Sequence, residues 1–309
     1  MEMHIPVQLL EAPRQGVAGP AFNNQSEIRF SPQLVARYER EQQALWLQWK
    51  PSPRPCFNPA LLRDLRSYCD LVDMSGAELL VDGEKLPIAY SVLSSATPGV
   101  FNLGGDLDLF VTLIERRDRQ GLLMYGRACI DVLYRNYVSY DLPITTISLV
   151  QGECLGGGFE CALSSDLIVA EASSRFGFPE ILFNLFPGMG AYSFLERKVG
   201  QKLTEQLIAS GKVYSAQEMQ EMGVVDVVCE DGQGLAEVAA LIRSQSRSRN
   251  GLNAMYRARR RVHRLDFSEL LDVVEIWVDS ALRLTSRDMR LMQKLVSRQN
   301  DLGVPHQLH

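Results

Sequence analysis

The sequence predicts an α/β fold with an open, largely parallel sheet that is extended at its carboxyl end by helices. Three features carry that prediction. Strand-like apolar runs alternate with helical periods through residue 230, the pattern of successive βαβ crossovers. The run 144–150, ITTISLV, has the β-branched content of a buried strand and is followed by three successive glycines, Gly156, Gly157 and Gly158. From residue 234 onward only helical patterning is present, so the chain divides into a tail over 1–25, an α/β core over 26–233 and a helical region over 234–309.

The tail holds Pro6, Pro13, Gly16, Gly19 and Pro20, a composition that predicts little regular structure. Residues 34–38 and 44–49 carry aliphatic and aromatic side chains around the charged stretch 39–41, which predicts a hairpin. The proline-rich stretch 51–55 then acts as a linker. Asn58 followed by Pro59 is a helix start, because the amide side chain accepts an orphan N–H and proline sits where no N–H is needed; the helix is expected to run to about Val72. A strand over 87–94 leads to a loop over 97–106. Leu122, Leu123, Cys129, Ile130 and Leu133 share a helical face, predicting a helix over about 118–140 that enters the strand at Ile144. A further strand is expected over 166–170, helices over 192–199, 202–210 and 215–222, the last capped by Ser215 and stopped by Gly223, and a terminal strand over 224–229.

The candidate chemistry lies between the two glutamates Glu160 and Glu180. Residues 159–163 are helix formers, so Gly157 and Gly158 fall at a helix N-terminus, where amides lack partners and can bind an anion. Glycine also lets the backbone approach a bound carbonyl. Glu160 falls in the first turn of that helix. Glu180 ends the stretch FGFPE, where proline fixes the backbone before the carboxylate, so the two acids can converge from separate elements.

Composition narrows the alternatives. A hydrophobic fraction of 46% with 22% charged residues is ordinary for a globular protein, and no apolar run reaches membrane-span length, so no membrane insertion is expected. The first residues lack the basic start and apolar segment of a signal peptide, which predicts a cytoplasmic protein. The six cysteines show no Cys-x-x-Cys pair and read as buried free thiols, with no metal and no cofactor expected. Of four histidines only His263 lies outside the tails, which leaves carboxylates as the practical source of acid–base chemistry. A net charge of −5 argues against nucleic acid as a partner. The basic run 256–264 reads as a solvated helix face or as a contact for an acidic partner or for phosphates. Met189 and Trp277 read as pocket walls or as ordinary core, and Leu155 and Gly156, beside the turn, as ligand contacts.

In its order of strand, Gly-Gly-Gly, Glu, strand and Phe-Pro-Glu, the stretch 101–200 resembles the crotonase (enoyl-CoA hydratase/isomerase) superfamily, with Gly157, Glu160 and Glu180 at the motif positions. The wording of 152–160 and 175–190 is similar to one branch, the synthases of diffusible signal factors, which are cis-2-unsaturated fatty acids used in quorum sensing. The resemblance implies a crotonase-like ββα superhelix and catalytic roles for Glu160 and Glu180. It also implies an oxyanion hole formed by the amides of Gly157 and, through the loop pattern Phe-x-x-Gly-x-Asp, of Leu103. It further implies C-terminal helices that cover the acyl site and assemble a trimer or dimer of trimers. The implied reaction is dehydration of a 3-hydroxyacyl-acyl carrier protein (or acyl-CoA), followed by thioester hydrolysis. The alternatives are an enoyl-CoA hydratase/isomerase of fatty-acid metabolism, or a crotonase-fold partner that restrains a sensor histidine kinase.

Overall fold

A computed structural model describes residues 27–303 apart from Asp82; the expected tail over 1–25 lies outside the described residues. The chain opens with three strands, β1 (Glu27–Ser31), β2 (Leu34–Glu39) and β3 (Ala44–Trp49). Helix α1 (Pro59–Ser75) starts where expected, with the Asn58 side chain accepting from the Leu61 amide at 2.9 Å, a cap that typically contributes about 1 kcal/mol. It runs one turn beyond the expected end, stopping at the left-handed Gly76. A small hairpin, β4 (Glu78–Val81) and β5 (Glu84–Pro87), follows, then β6 (Tyr90–Ser95) and β7 (Val100–Asn102). Next come α2 (Leu107–Glu115), α3 (Arg119–Tyr137), β8 (Thr145–Val150), β9 (Glu153–Leu155), α4 (Gly157–Leu163), β10 (Leu167–Glu171) and β11 (Arg175–Gly177). A 3-10 turn, Pro179–Phe183, leads to α5 (Ala191–Val199), α6 (Gln201–Ser210), β12 (Val213–Ser215), α7 (Ala216–Glu221) and β13 (Val227–Cys229). The carboxyl-terminal region is α8 (Gly234–Ser246), α9 (Arg249–Val262), α10 (Phe267–Ala281) and α11 (Ser286–Gly303).

Two sheets organise the core. The larger is ordered β1-β2-β3-β6-β8-β10-β13, antiparallel over the opening hairpins and parallel from β3 onward. The smaller is ordered β12-β11-β9-β7, with β7, β9 and β11 parallel. Strands β6 and β8 are buried at every residue, as expected where both faces of a parallel sheet are covered. This is the α/β architecture the sequence predicts, with a parallel sheet and many helices.

The chain alternates between the sheets. Each of β6, β8 and β10 belongs to the large sheet and is followed at once by β7, β9 or β11 of the small one. The three turns leaving the small sheet are therefore neighbours: residues 103–106 after β7, 156–157 after β9 and 178–180 after β11. That adjacency builds the site.

Several elements went unforeseen in the sequence: the short strands β1, β7, β9, β11 and β12, helix α2 and the β4–β5 hairpin. The loop expected to end at Asp106 passes straight into α2, because the Asp106 carboxylate accepts from the Leu109 amide as an N-cap. The β4–β5 hairpin is short, and Leu80 is 63% exposed, so no alternating apolar pattern announces it. In the other direction, the strand expected over 224–229 forms ladder pairs only over its last three residues.

Candidate active site

Glu160 is in the first turn of α4 and only 1% exposed. Its Oε1 accepts from the amides of Met189 (2.8 Å) and Ala191 (3.0 Å) at the start of α5. Burial pushes its pKa up to about 7, and the two amide donors hold it from rising further. Glu180 sits in the turn after β11. Part of the residue reaches the surface, but its Oε2 is sealed from solvent and has no hydrogen-bond partner. Burial first, and the neighbouring Glu160 charge second, push it up to about 8. Its Oε1 leans on the turn after β9: a Cβ at Gly156, where φ is +51°, would lie 2.4 Å from it.

The turn after β7 closes against the turn after β9, since a Cβ at Gly104 would stand 2.7 Å from the Gly157 nitrogen. Three of the four amides in this first turn are paired. Leu103 donates to the Pro55 carbonyl (2.9 Å), Gly104 to Asn102 Oδ1 (2.8 Å) and Asp106 to the Tyr125 hydroxyl (3.2 Å). Only the Gly105 amide has no acceptor among the described residues, and Gly105 lines the cavity. The oxyanion donor assigned to Leu103 is thereby corrected: that amide is spent on the chain's own backbone, and Gly105 supplies the available N–H. The peptide carrying it is oriented from behind, because the Gly104 carbonyl accepts from the Phe57 amide at 2.8 Å. Across from it the Gly157 amide, at the start of α4, likewise has no acceptor.

Glu160, Glu180, Gly105 and Gly157 line one cavity whose remaining walls are mostly apolar, among them Trp49, Phe57, Tyr68, Phe110, Tyr125 and Leu133. Residues 88–264 match the enoyl-CoA hydratase/isomerase family model. The chain belongs to that family. In sequence it is 30% identical over 172 residues to the fatty acid oxidation complex subunit alpha of Pseudomonas paraeruginosa, a match covering 56% of this chain and 22% of that protein. The chain thus spans about a fifth of that relative's length. In structure it is similar to an enoyl-CoA hydratase from Bacillus halodurans, with a TM-score of 0.70 at 17% identity over 84% of this chain and 99% of that one. It is also similar to the human mitochondrial delta3-delta2-enoyl-CoA isomerase, with a TM-score of 0.69 at 17% identity over 87% and 98%. At such identities the structural likeness is one of fold.

Other candidate residues of this crotonase-family chain divide between cavity and core. Met189 and Trp277 both line the cavity. Trp277 packs edge-on to Phe110 at 5.1 Å between ring centres, and Gly188 lies so close that a Cβ there would be 2.4 Å from the indole. Leu103 is also among the residues that line it. Leu155 and Gly156, expected as substrate contacts, lie behind the walls: Leu155 packs in a small cluster with Val100 and Leu103, and Gly156 backs the Glu180 carboxyl. The basic run 256–264 is partly turned inward, since Arg259 and Arg260 both bind buried Asp166 Oδ1, at 2.6 and 2.7 Å. Cys56, Cys69, Cys129, Cys154 and Cys161 are buried free thiols and Cys229 is half-buried and free. Among the described residues no helix is long and apolar enough to cross a membrane.

Proposed function

We propose that this protein adds or removes water across C2 and C3 of an acyl thioester, the enoyl-CoA hydratase/isomerase type of reaction in fatty-acid metabolism. The observation that carries this reading is one apolar cavity holding two buried carboxyls and two unpaired backbone amides, Gly105 and Gly157. The thioester oxygen accepts from both amides. Negative charge that develops there as the enolate forms meets donors already in place, each such donor typically contributing about 3 kcal/mol.

The environments of the two acids assign the protons. Two amide donors favour the Glu160 carboxylate, whereas the unpartnered Glu180 oxygen favours its neutral form. In hydration, Glu160 takes a proton from water as the oxygen bonds to C3. The C2–C3 π electrons move into the enolate, and Glu180 then delivers its proton to C2. Dehydration is the reverse: Glu180 removes the C2 proton and Glu160 protonates the departing hydroxyl.

A finer reading rests on the wording of 152–160 and 175–190, which is similar to the diffusible signal factor synthases. In it the substrate is a 3-hydroxyacyl-acyl carrier protein, and after dehydration a carboxylate-activated water attacks C1. The same two amides hold the tetrahedral oxyanion, and the thiol leaves with a proton. Helices α8–α11 cover the acyl site and form the contacts of a trimer or dimer of trimers in this reading, and a sensor kinase is a further partner.

Mass spectrometry of products from trans-2-decenoyl-CoA and from 3-hydroxydecanoyl-acyl carrier protein tests both. Reversible conversion between enoyl and 3-hydroxyacyl thioesters supports the family reaction; a free cis-2-enoic acid adds the synthase step. Neither product from either substrate overturns the reading.

A further inference from the structure

The last described helix, α11, docks through a stripe in which Met289, Met292 and Val296 are buried, spaced three and four residues apart. The next position on that stripe is Gln299, only 4% exposed. An apolar side chain there would complete the docking face, and burying an amide instead costs free energy unless it is paired. The glutamine has a specific use. Its Nε2 donates to the carbonyls of Leu103 and Gly105, both at 3.2 Å, while its Oε1 has no partner. Two carbonyl acceptors fix which edge of the amide faces the turn, because the reverse orientation would set oxygen against oxygen.

These two carbonyls flank the peptide whose N–H is the unpaired Gly105 donor. The peptide's own carbonyl, on Gly104, is held by the Phe57 amide. The turn is therefore gripped at three consecutive carbonyls, two of them by one side chain from a helix nearly two hundred positions away in the chain. Gly104 has φ of +90° and Gly105 no side chain, so beyond the Asn102 side chain on the Gly104 amide little that is local stiffens this stretch.

We propose that Gln299 is a positioning residue: by holding the Leu103 and Gly105 carbonyls it keeps the Gly105 amide aimed at the thioester oxygen. The inference rests on the acyl-thioester reading given above. It ties α11, which lies beyond the segment matching the family, to the chemistry at the other end of the fold. Displacing a positioned group by about 1 Å costs up to roughly a hundredfold in rate, so the effect belongs in kcat and leaves KM nearly alone.

The test is steady-state hydration of trans-2-decenoyl-CoA by full-length Gln299→Met, Gln299→Glu, Glu160→Gln and wild-type protein, with thermal unfolding alongside. Gln299→Met keeps the length and packing and removes the donor. It is expected to lower kcat by roughly 10- to 100-fold, with KM within about threefold and a melting temperature close to wild type. Gln299→Glu is expected to lose as much above neutrality and to regain part of it relative to wild type at lower pH, where a protonated carboxyl donates one hydrogen bond. Wild-type kcat in Gln299→Met, with kcat lost in Glu160→Gln, overturns the inference and leaves the functional reading standing. Unchanged kcat in Glu160→Gln sinks the functional reading itself. Should Gln299→Met not fold, the pH profile of Gln299→Glu decides, and a constant ratio to wild type overturns the proposal.

Discussion

Glu160 and Glu180 are the same acid on the wall of the same cavity, yet the fold treats them differently. Both are raised by burial, but Glu160 has two backbone amides on one oxygen and Glu180 Oε2 has none. Two donors offset part of the cost of the buried charge at Glu160, while the Glu160 charge adds to burial at Glu180, so one acid is pushed up to about 7 and the other to about 8. The difference is built into the topology: α4 and α5 bring two helix N-termini to Glu160, while Glu180 follows a proline on a 3-10 turn that leaves its Oε2 without a donor. Paired carboxyls that share little more than one proton near neutrality can act as base and acid in one turnover.

The largest effect that would break this contrast is removal of either acid. Glu160→Gln and Glu180→Gln are each expected to lower kcat by about 10²- to 10⁴-fold in the proposed hydration. Retention of most activity in Glu180→Gln would leave Glu160 as the one working carboxyl, and retention in Glu160→Gln would overturn the proposed reaction. The pair's pH dependence sharpens the point. Activity requires one proton on the pair, so kcat/KM should rise through about 7 as the first proton leaves and fall through about 8 as the second does. A plateau that stays flat from pH 6 to 9 would contradict the two raised values.

A smaller effect is expected at Gly156. Alanine there takes φ of +51°, unfavourable for a side chain by about 1 kcal/mol, and its Cβ would lie 2.4 Å from Glu180 Oε1. The carboxyl must move, and kcat should fall by roughly 10- to 100-fold with Glu160 untouched. A Gly156→Ala protein whose high-pH limb coincides with wild type would show that Glu180 does not need this seat.

A parallel contrast separates the two turns that present amides. The turn after β9 was legible in the sequence because its chemistry is written in residue types: glycines at Gly156–Gly158 and an acid at Glu160. The turn after β7 was not, since every residue in it has an N–H. Which one is free depends on acceptors elsewhere in the chain, namely the Pro55 carbonyl, the Asn102 side chain and the Tyr125 hydroxyl. Leu103 was therefore the wrong choice, and only tertiary hydrogen bonding leads to Gly105. The same limit hid Gln299, whose partners are two backbone carbonyls. The fold class was readable because strand and helix periods alternate strongly; α2 was missed because Asp106, which ends one motif, also caps the next helix.

The smallest predicted effect compares the acids through stability. In the unfolded chain both return to the ordinary glutamate value of 4.5. Between there and its raised value each is protonated when folded and ionised when unfolded. The folded state then binds more protons, so stability falls as pH rises, by at most about 1.4 kcal/mol per pH unit for each group. The fall ends near 7 for Glu160 and near 8 for Glu180. Below 4.5 neither contributes. Thermal unfolding measured across this range should show the melting temperature declining with pH, a shallower decline in both glutamine variants, and the greater flattening in Glu180→Gln. If Glu160→Gln flattened the curve more, the two amides on its oxygen would not be offsetting its burial, and the proton would have to be placed on Glu160 in the resting protein.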